Sequence, residues 1–131
     1  MRRPPFNCDA KPSLAPAAGT AVDHYHVWVD LRQGVKDMDF ATSITAMMQH
    51  MQRASTIEGH TLTRRKLGFG PETLGEWHID ILVKDMAQLE AAFDQVTPRT
   101  GEMEKLHAAV WSKVTNFKSG LWRDFPDANR I

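Results

Sequence analysis

Cysteine is nearly absent from this chain, which has only Cys8 among its 131 residues. A single cysteine can form neither an internal disulfide nor a cysteine-based zinc site, and such usage is typical of a reducing compartment. Net charge is absent as well, because 16 basic residues balance 16 acidic ones. A neutral chain has no long-range attraction for nucleic acid or for an anionic membrane surface. We therefore expect neither of these as a partner.

Long apolar runs are also missing. No stretch approaches the roughly 20 apolar residues that a membrane-spanning helix needs. Arg2 and Arg3 resemble the start of a signal peptide, but no apolar run of the required length follows them. We expect a cytoplasmic protein. Residues 1–22 are rich in Pro and Ala and lack periodicity, so they are predicted to be a disordered tail before one domain over residues 23–131.

Two segments alternate between apolar and polar or aromatic side chains with a period of two. They cover residues 23–32 and 77–84. Since successive side chains of a strand point to opposite faces, each segment predicts a half-buried strand with one chemically rich side. The imidazole, indole and carboxylate side chains that make this side a candidate site are those of His24, His26, Trp28, His78 and Asp80.

The remaining patterns predict how these strands are connected. They indicate helices after Asp37 and Asp85, a strand over residues 57–67, a further helix from Thr97 to Val114 and a last strand over residues 115–124. The order is βαββαβ with an extra helix before the last strand. Two interlocked crossover units of this kind form an antiparallel four-stranded sheet in the order 4-1-3-2, with helices on one face. The sequence therefore predicts an α+β, ferredoxin-like fold.

The element order and the polar and aromatic sheet face together resemble the dimeric α/β-barrel superfamily, in particular its antibiotic-biosynthesis-monooxygenase-like members. The resemblance covers residues 23–125, and the chain is most similar to a bacterial family without an established activity. In this superfamily two ferredoxin-like subunits join their open sheet faces into a barrel. The resemblance implies a homodimer with a small organic molecule in the barrel cavity. It rests on no diagnostic motif, so it transfers no catalytic residue by position.

Three interpretations of the polar face stay open. A catalytic site would use His26 or His78 as a general base near neutral pH, with Asp80 orienting the imidazole. A divalent metal, the alternative to having no cofactor, would take its ligands from His24, His26, His78 and Asp80. A hydrogen-bonded network that sets the register of the dimer would need neither.

Ligand contacts are predicted from the same face. Trp28 is a candidate flat wall for an aromatic ligand, and His24 lies beside it in the pattern. His60, Leu62 and Arg64 are assigned to the inner face of the strand over residues 57–67. There Arg64 is a candidate for holding an anionic group, or else part of a solvated edge. The glycine-rich residues 68–70 are a candidate flap over the barrel mouth.

These predictions support three functions of different classes. The first is a cofactor-independent enzyme of the monooxygenase, isomerase or cyclase kind, which removes a proton beside a carbonyl or phenol. The second is a dimer that binds a small molecule without turnover or is associated with stress. The third is a divalent-metal-binding protein.

Overall fold

The computed structural model describes residues 22–126 of the chain. Cys8 and the predicted tail, apart from Val22, lie outside the described residues. The elements follow in the order β1 (Asp23–Leu31), α1 (Asp37–Arg53), β2 (Gly59–Arg64), β3 (Trp77–Val83), α2 (Met86–Val96), α3 (Gly101–Trp111) and β4 (Val114–Arg123). This succession confirms the predicted α+β order, including the extra helix before the last strand.

The four strands form one antiparallel sheet in the order β2-β3-β1-β4, which is the predicted order read from the other edge. Strands β1 and β3 lie at its centre, where His26 is opposite Asp80 and Trp28 is opposite His78. Directly opposed residues of an antiparallel pair point to the same face. The register therefore confirms that the chemically rich sides of the two predicted strands share one face.

The hydrophobic core lies between the other face of the sheet and the helices. The predicted apolar stripe of α1 is buried there, and alternate residues of β3 pack with it because a strand presents every second side chain to the same side. Burial of each such side chain contributes about 1.5–3 kcal/mol. The buried residues of these two elements are Phe40, Ile44, Met47, Met48, Met51, Trp77, Ile79, Ile81 and Val83.

The helix ends agree only in part with the prediction. Asp85 caps α2, and its carboxylate accepts a hydrogen bond from the Gln88 backbone N–H at 2.9 Å. At α1 the predicted cap was wrong, because Lys36 is the N-cap and Asp37 is the first helical residue. The predicted start of the extra helix at Thr97 was also wrong: Thr97 ends α2, and α3 begins at Gly101.

The break between α2 and α3 has a local cause. Arg99 and Gly101 both have positive φ angles, 57° and 73°, which no continuing right-handed helix contains. Thr100 between them has an extended backbone and is the N-cap of α3. Among the described residues, no helix has both the length and the apolar character needed to cross a bilayer.

Strand β2 differs from its prediction in length and in the direction of its side chains. It covers six residues rather than the eleven predicted. Leu62 lies opposite Ile79 and Arg64 lies opposite Trp77, so both point toward the helix side. The predicted placement of His60, Leu62 and Arg64 on the inner face was therefore wrong. The β2 side chains on the opposite face are those of Thr61 and Thr63, which pair with β3 at Asp80 and His78.

Candidate functional site

The face of the sheet that carries no helices, called the open face below, gathers residues from all four strands. Strands β1 and β3 supply imidazoles, a carboxylate and an indole, whereas β2 supplies two hydroxyls and β4 a lysine, a glycine and a second indole. The antiparallel register places on this face His24, His26, Trp28, Thr61, Thr63, His78, Asp80, Leu82, Lys118, Gly120 and Trp122.

His24 is held between two carboxylates. Its Nδ1 lies 3.2 Å from both carboxylate oxygens of Asp80, and its Nε2 lies 2.6 Å from Oδ1 of Asp124. Two carboxylates beside one ring favour its protonated form, in which both ring nitrogens donate hydrogen bonds. Burial lowers the pKa of His24, but the hydrogen bonds and charges of Asp124 and Asp80 outweigh it and raise the pKa overall.

Asp124 also joins the two ends of the described chain. Its backbone N–H donates to the Val22 carbonyl at 3.0 Å, and its carboxylate accepts from the Val22 N–H at 3.3 Å. Val22 is buried. The residue before β1 and the residue after β4 are thereby fixed beside His24, which keeps the ion pair in place.

His26 and His78 form a pair of a different kind. The Nδ1 atom of His26 lies 2.7 Å from the Nε2 atom of His78, and their rings are stacked with centroids 4.9 Å apart. One nitrogen donates a proton and the other accepts it, so the two rings are not both cationic. Burial lowers the pKa of each, and the second positive charge nearby, His24 for His26 and His26 for His78, lowers it further.

Two indoles extend this pair into an aromatic cluster. The ring of Trp28 stacks on His78 with centroids 4.9 Å apart and on His26 at 5.5 Å. Trp122 meets both His26 and Trp28 edge to face. It lies over Gly120, where a Cβ atom would overlap the indole ring. Glycine is therefore required for the Trp122 ring to lie where it does.

The loop between β2 and β3 forms a cleft beside the imidazole pair. A space of about 180 Å³ lies between this loop and the sheet, lined by Trp28, Thr63, Arg64, Arg65, Phe69, Gly70, Pro71, Leu74, Gly75, Glu76 and His78. The Nη2 atom of Arg65 donates to the carbonyl of Pro71 at 2.9 Å and to that of Leu74 at 2.5 Å. These hydrogen bonds hold the loop against the end of β2. The predicted flap residues Phe69 and Gly70 do line this cleft.

Asp30 fixes the same loop from the sheet side. Its carboxylate accepts hydrogen bonds from the Glu76 backbone N–H at 2.9 Å and from the Asn116 amide at 3.0 Å. These two hydrogen bonds lower the pKa of Asp30. The loop lies directly against β1 at Gly75, where a Cβ atom would overlap the backbone of Val29.

The structure thus brings together most, but not all, of the residues that the sequence singled out. Arg64 is away from the open face: it lies over the Trp77 ring at 4.9 Å and its Nε donates to Glu76 at 2.8 Å. His60 points to the helix side, where burial lowers its pKa. Sequence reasoning missed Asp124 and Trp122. The signal for both was the period-two spacing of residues 120, 122 and 124 at the end of β4.

The donor set also offers a metal-binding geometry. His24, His26 and Asp80 each provide one ligand atom, and these three atoms lie within 4.8 Å of one another. His78, which the sequence also suggested as a ligand, is not part of this group. In the geometry described above, however, both nitrogens of His24 already contact carboxylates. A cation would have to replace those hydrogen bonds.

Comparison with known proteins gives a family and a fold. Residues 22–131 match the model of a family described as a family of unknown function, DUF6614, and the chain belongs to this family. No curated protein is significantly similar to it in sequence.

Solved structures resemble the chain in fold. A variant of SnoaB, a cofactor-independent oxygenase from Streptomyces nogalater, is 13% identical with a TM-score of 0.59, covering 82% of this chain and 99% of its own. A dimeric ferredoxin-like protein of unknown function from Thermobifida fusca is 11% identical with a TM-score of 0.53, covering 80% of this chain and 92% of its own. At such identities the likeness establishes the ferredoxin-like fold alone.

Proposed function

We propose that this protein is a homodimer that binds a small, planar, oxygenated organic molecule at the open face and moves a proton there with the His26–His78 pair. The observation that carries the proposal is the 2.7 Å contact between the two imidazoles. Their pKa values are lowered, which favours the neutral forms, and in the neutral pair one ring keeps a lone pair that is free to act as a base.

The surface that the open face presents supports the proposed dimer. Trp122 is 56% exposed and touches Trp28, so two indoles and the neighbouring Leu82 leave apolar area beside the imidazoles. A patch of large apolar side chains rimmed by polar groups is typical of a protein interface. The similar protein from Thermobifida fusca is dimeric. A second copy packed on this face would exclude water from the histidines.

The imidazole pair can act as a short proton relay. When Nδ1 of His26 donates to His78, the Nε2 lone pair of His26 is free to accept a proton from a bound molecule. The Nδ1 proton then passes to Nε2 of His78, so His26 returns to the neutral form and His78 becomes the cation. Thr63, whose hydroxyl lies 3.4 Å from Nδ1 of His78, lies where that ring can release a proton.

The neighbouring residues of the open face position the imidazole pair and the bound molecule and do not take up the proton themselves. Asp80 anchors the His24 imidazolium, and its charge opposes the lowering of the pKa of both His26 and His78. Trp28 supplies a flat ring beside the cleft against which a planar molecule can stack. Oxygenation, isomerisation and cyclisation all begin with removal of a proton beside a carbonyl or phenol, so one site of this kind serves any of them.

The proposal is tested with 5-nitrobenzisoxazole, a planar probe whose carbon-bound proton is removed by a base with release of a coloured phenolate. We expect the full chain to accelerate this reaction, and the His26→Ala/His78→Ala variant to lose at least tenfold of the rate, since a placed general base contributes about 10²–10⁴-fold. His50→Ala, in α1 away from the open face, is the matched control. An unchanged rate in the double variant would contradict catalysis by the pair, and saturable binding without turnover would support a non-catalytic ligand-binding dimer.

Binding of a divalent cation is the second candidate, favoured by the grouping of His24, His26 and Asp80. Untagged protein would then retain zinc or another divalent ion after dialysis, at one equivalent per chain. The His24→Ala variant would lose it. Elemental analysis of both proteins decides the matter, because an ion-free wild-type protein that also binds no added zinc excludes this candidate.

A further inference from the structure

A second cavity lies on the opposite side of the sheet, inside the core. It has a volume of about 220 Å³, roughly seven times the share of one water molecule in the liquid. Tyr25 and Ile81 of the sheet line it together with Met48 of α1 and Leu89 of α2. Its walls are almost wholly apolar, and a cavity of this kind favours an apolar guest over water.

A wide groove between α2 and α3 lies beside this cavity. The groove has a volume of about 720 Å³, and four of its lining residues also line the cavity, so the two spaces share part of their walls. Among these four, Trp111 is 50% exposed and Phe93 is 46% exposed, although both are large and apolar. The shared residues are Phe93, Val96, His107 and Trp111.

One residue that lines the groove has a buried polar atom without a partner among the described residues. The Oε1 atom of Glu104 is buried and accepts no hydrogen bond within the described part of the chain. Glu104 lines the groove, as does Arg99, but no ion pair joins these two residues among the described salt bridges. A buried carboxylate oxygen without a donor is costly, so a ligand that donates a hydrogen bond would be favoured there.

We propose that this groove and cavity form a second ligand site, which takes an amphipathic molecule with an aliphatic tail and an ammonium head. The tail would enter the apolar cavity between Phe93 and Trp111, and the ammonium would donate a hydrogen bond to the carboxylate of Glu104, which lines the groove. A carboxylate head cannot supply that hydrogen bond, because it only accepts. The site lies across the sheet from the imidazole pair and is independent of the function proposed above.

The experiment measures binding of n-octylamine, octanoate and n-butylamine to the full chain by isothermal titration calorimetry at pH 7. We expect n-octylamine to bind saturably with one equivalent per chain, at least tenfold more tightly than either of the others. Glu104→Gln should reduce the preference for the amine over octanoate to less than threefold. Glu102→Gln, exposed on the first turn of the same helix, is the matched control and should keep that preference.

Each alternative result overturns a stated part of the proposal. Octanoate binding as tightly as n-octylamine would contradict the ammonium head, and n-butylamine doing so would contradict the buried tail. Absence of saturable binding of all three would contradict the site as a whole. The His26→Ala/His78→Ala variant should bind n-octylamine with unchanged affinity. A loss of binding in this variant would show that n-octylamine binds at the open face instead. The comparison of the three ligands uses the wild-type protein, so it holds even where Glu104→Gln does not fold.

Discussion

The Nδ1 atom of His26 and the Nε2 atom of His78 lie 2.7 Å apart, and only one proton fits between them. His24, two residues before His26 on β1, has both nitrogens against carboxylates instead. Three histidines on one sheet face are thus divided into a pair that cannot be doubly cationic and a single ring held between carboxylates. The neighbours of each ring, rather than burial alone, decide which form it takes.

The pKa directions of the three histidines predict the order in which they titrate. By NMR of the ring nitrogens and carbons, His26 and His78 should titrate below the ordinary histidine pKa of about 6.5, and His24 above it. As the pH falls below that value, the unfolded chain takes up protons at positions 26 and 78 before the folded chain does. The contribution of these two rings to the free energy of unfolding should therefore decrease with falling pH, so the wild-type protein should lose stability relative to His26→Phe/His78→Phe as the pH falls. Titration of His26 and His78 above His24 would contradict this assignment.

The ion pair of His24 predicts the opposite dependence on pH. Because its folded pKa is raised, the stabilisation is fully present below about pH 6.5 and is lost as the pH rises through the folded pKa. Asp124→Asn should lower the free energy of unfolding by about 1 kcal/mol at pH 5.5, since the pair is partly exposed, and by less at pH 9. Urea denaturation at the two pH values measures the difference. Asp94→Asn, exposed in α2, should change neither value; an equal cost for Asp124→Asn at both would argue against the charged pair.

The close approach of the loop to β1 predicts a strong effect of one methyl group. Gly75→Ala places a Cβ atom inside the backbone of Val29 and should cost about 2–3 kcal/mol of unfolding free energy. Gly59→Ala is the matched control, because nothing lies within 4 Å of a Cβ atom there. Thermal denaturation compares the two variants. Equal melting temperatures would mean that the loop does not lie against β1 as described.

Regular periodicity made most of the fold predictable from sequence. The stripe of α1 and the alternation of β1 and β3 each have one clearly apolar side, so burial settles their direction. Strand β2 has polar residues on both sides, with threonine at positions 61 and 63 against histidine and arginine at 60 and 64. Only its pairing with β3, which places Leu62 opposite Ile79, settles which side faces the core.

The candidate site was predictable where it lies on the central strands and not at β4. Asn116 has a φ angle of 55°, and the pairing of β1 with β4 shifts between Trp28 and Asp30. This irregularity inserts one extra residue into β4. Thr115 points to the open face before it, whereas after it the even-numbered residues from Lys118 onward do so. Trp122 and Asp124 reach the histidines for that reason. A strict period of two from the start of the strand does not find them.

Enclosure of the open face by a second copy is the claim on which the proposed function depends, and sedimentation equilibrium tests it most directly. At about 10 μM the wild-type chain should have twice the monomer mass, and Trp122→Asp should shift it to the monomer by placing a charge in the apolar patch. Trp111→Asp, on the helix side, should remain a dimer. A wild-type monomer, or a dimer unaffected by Trp122→Asp, would contradict the account.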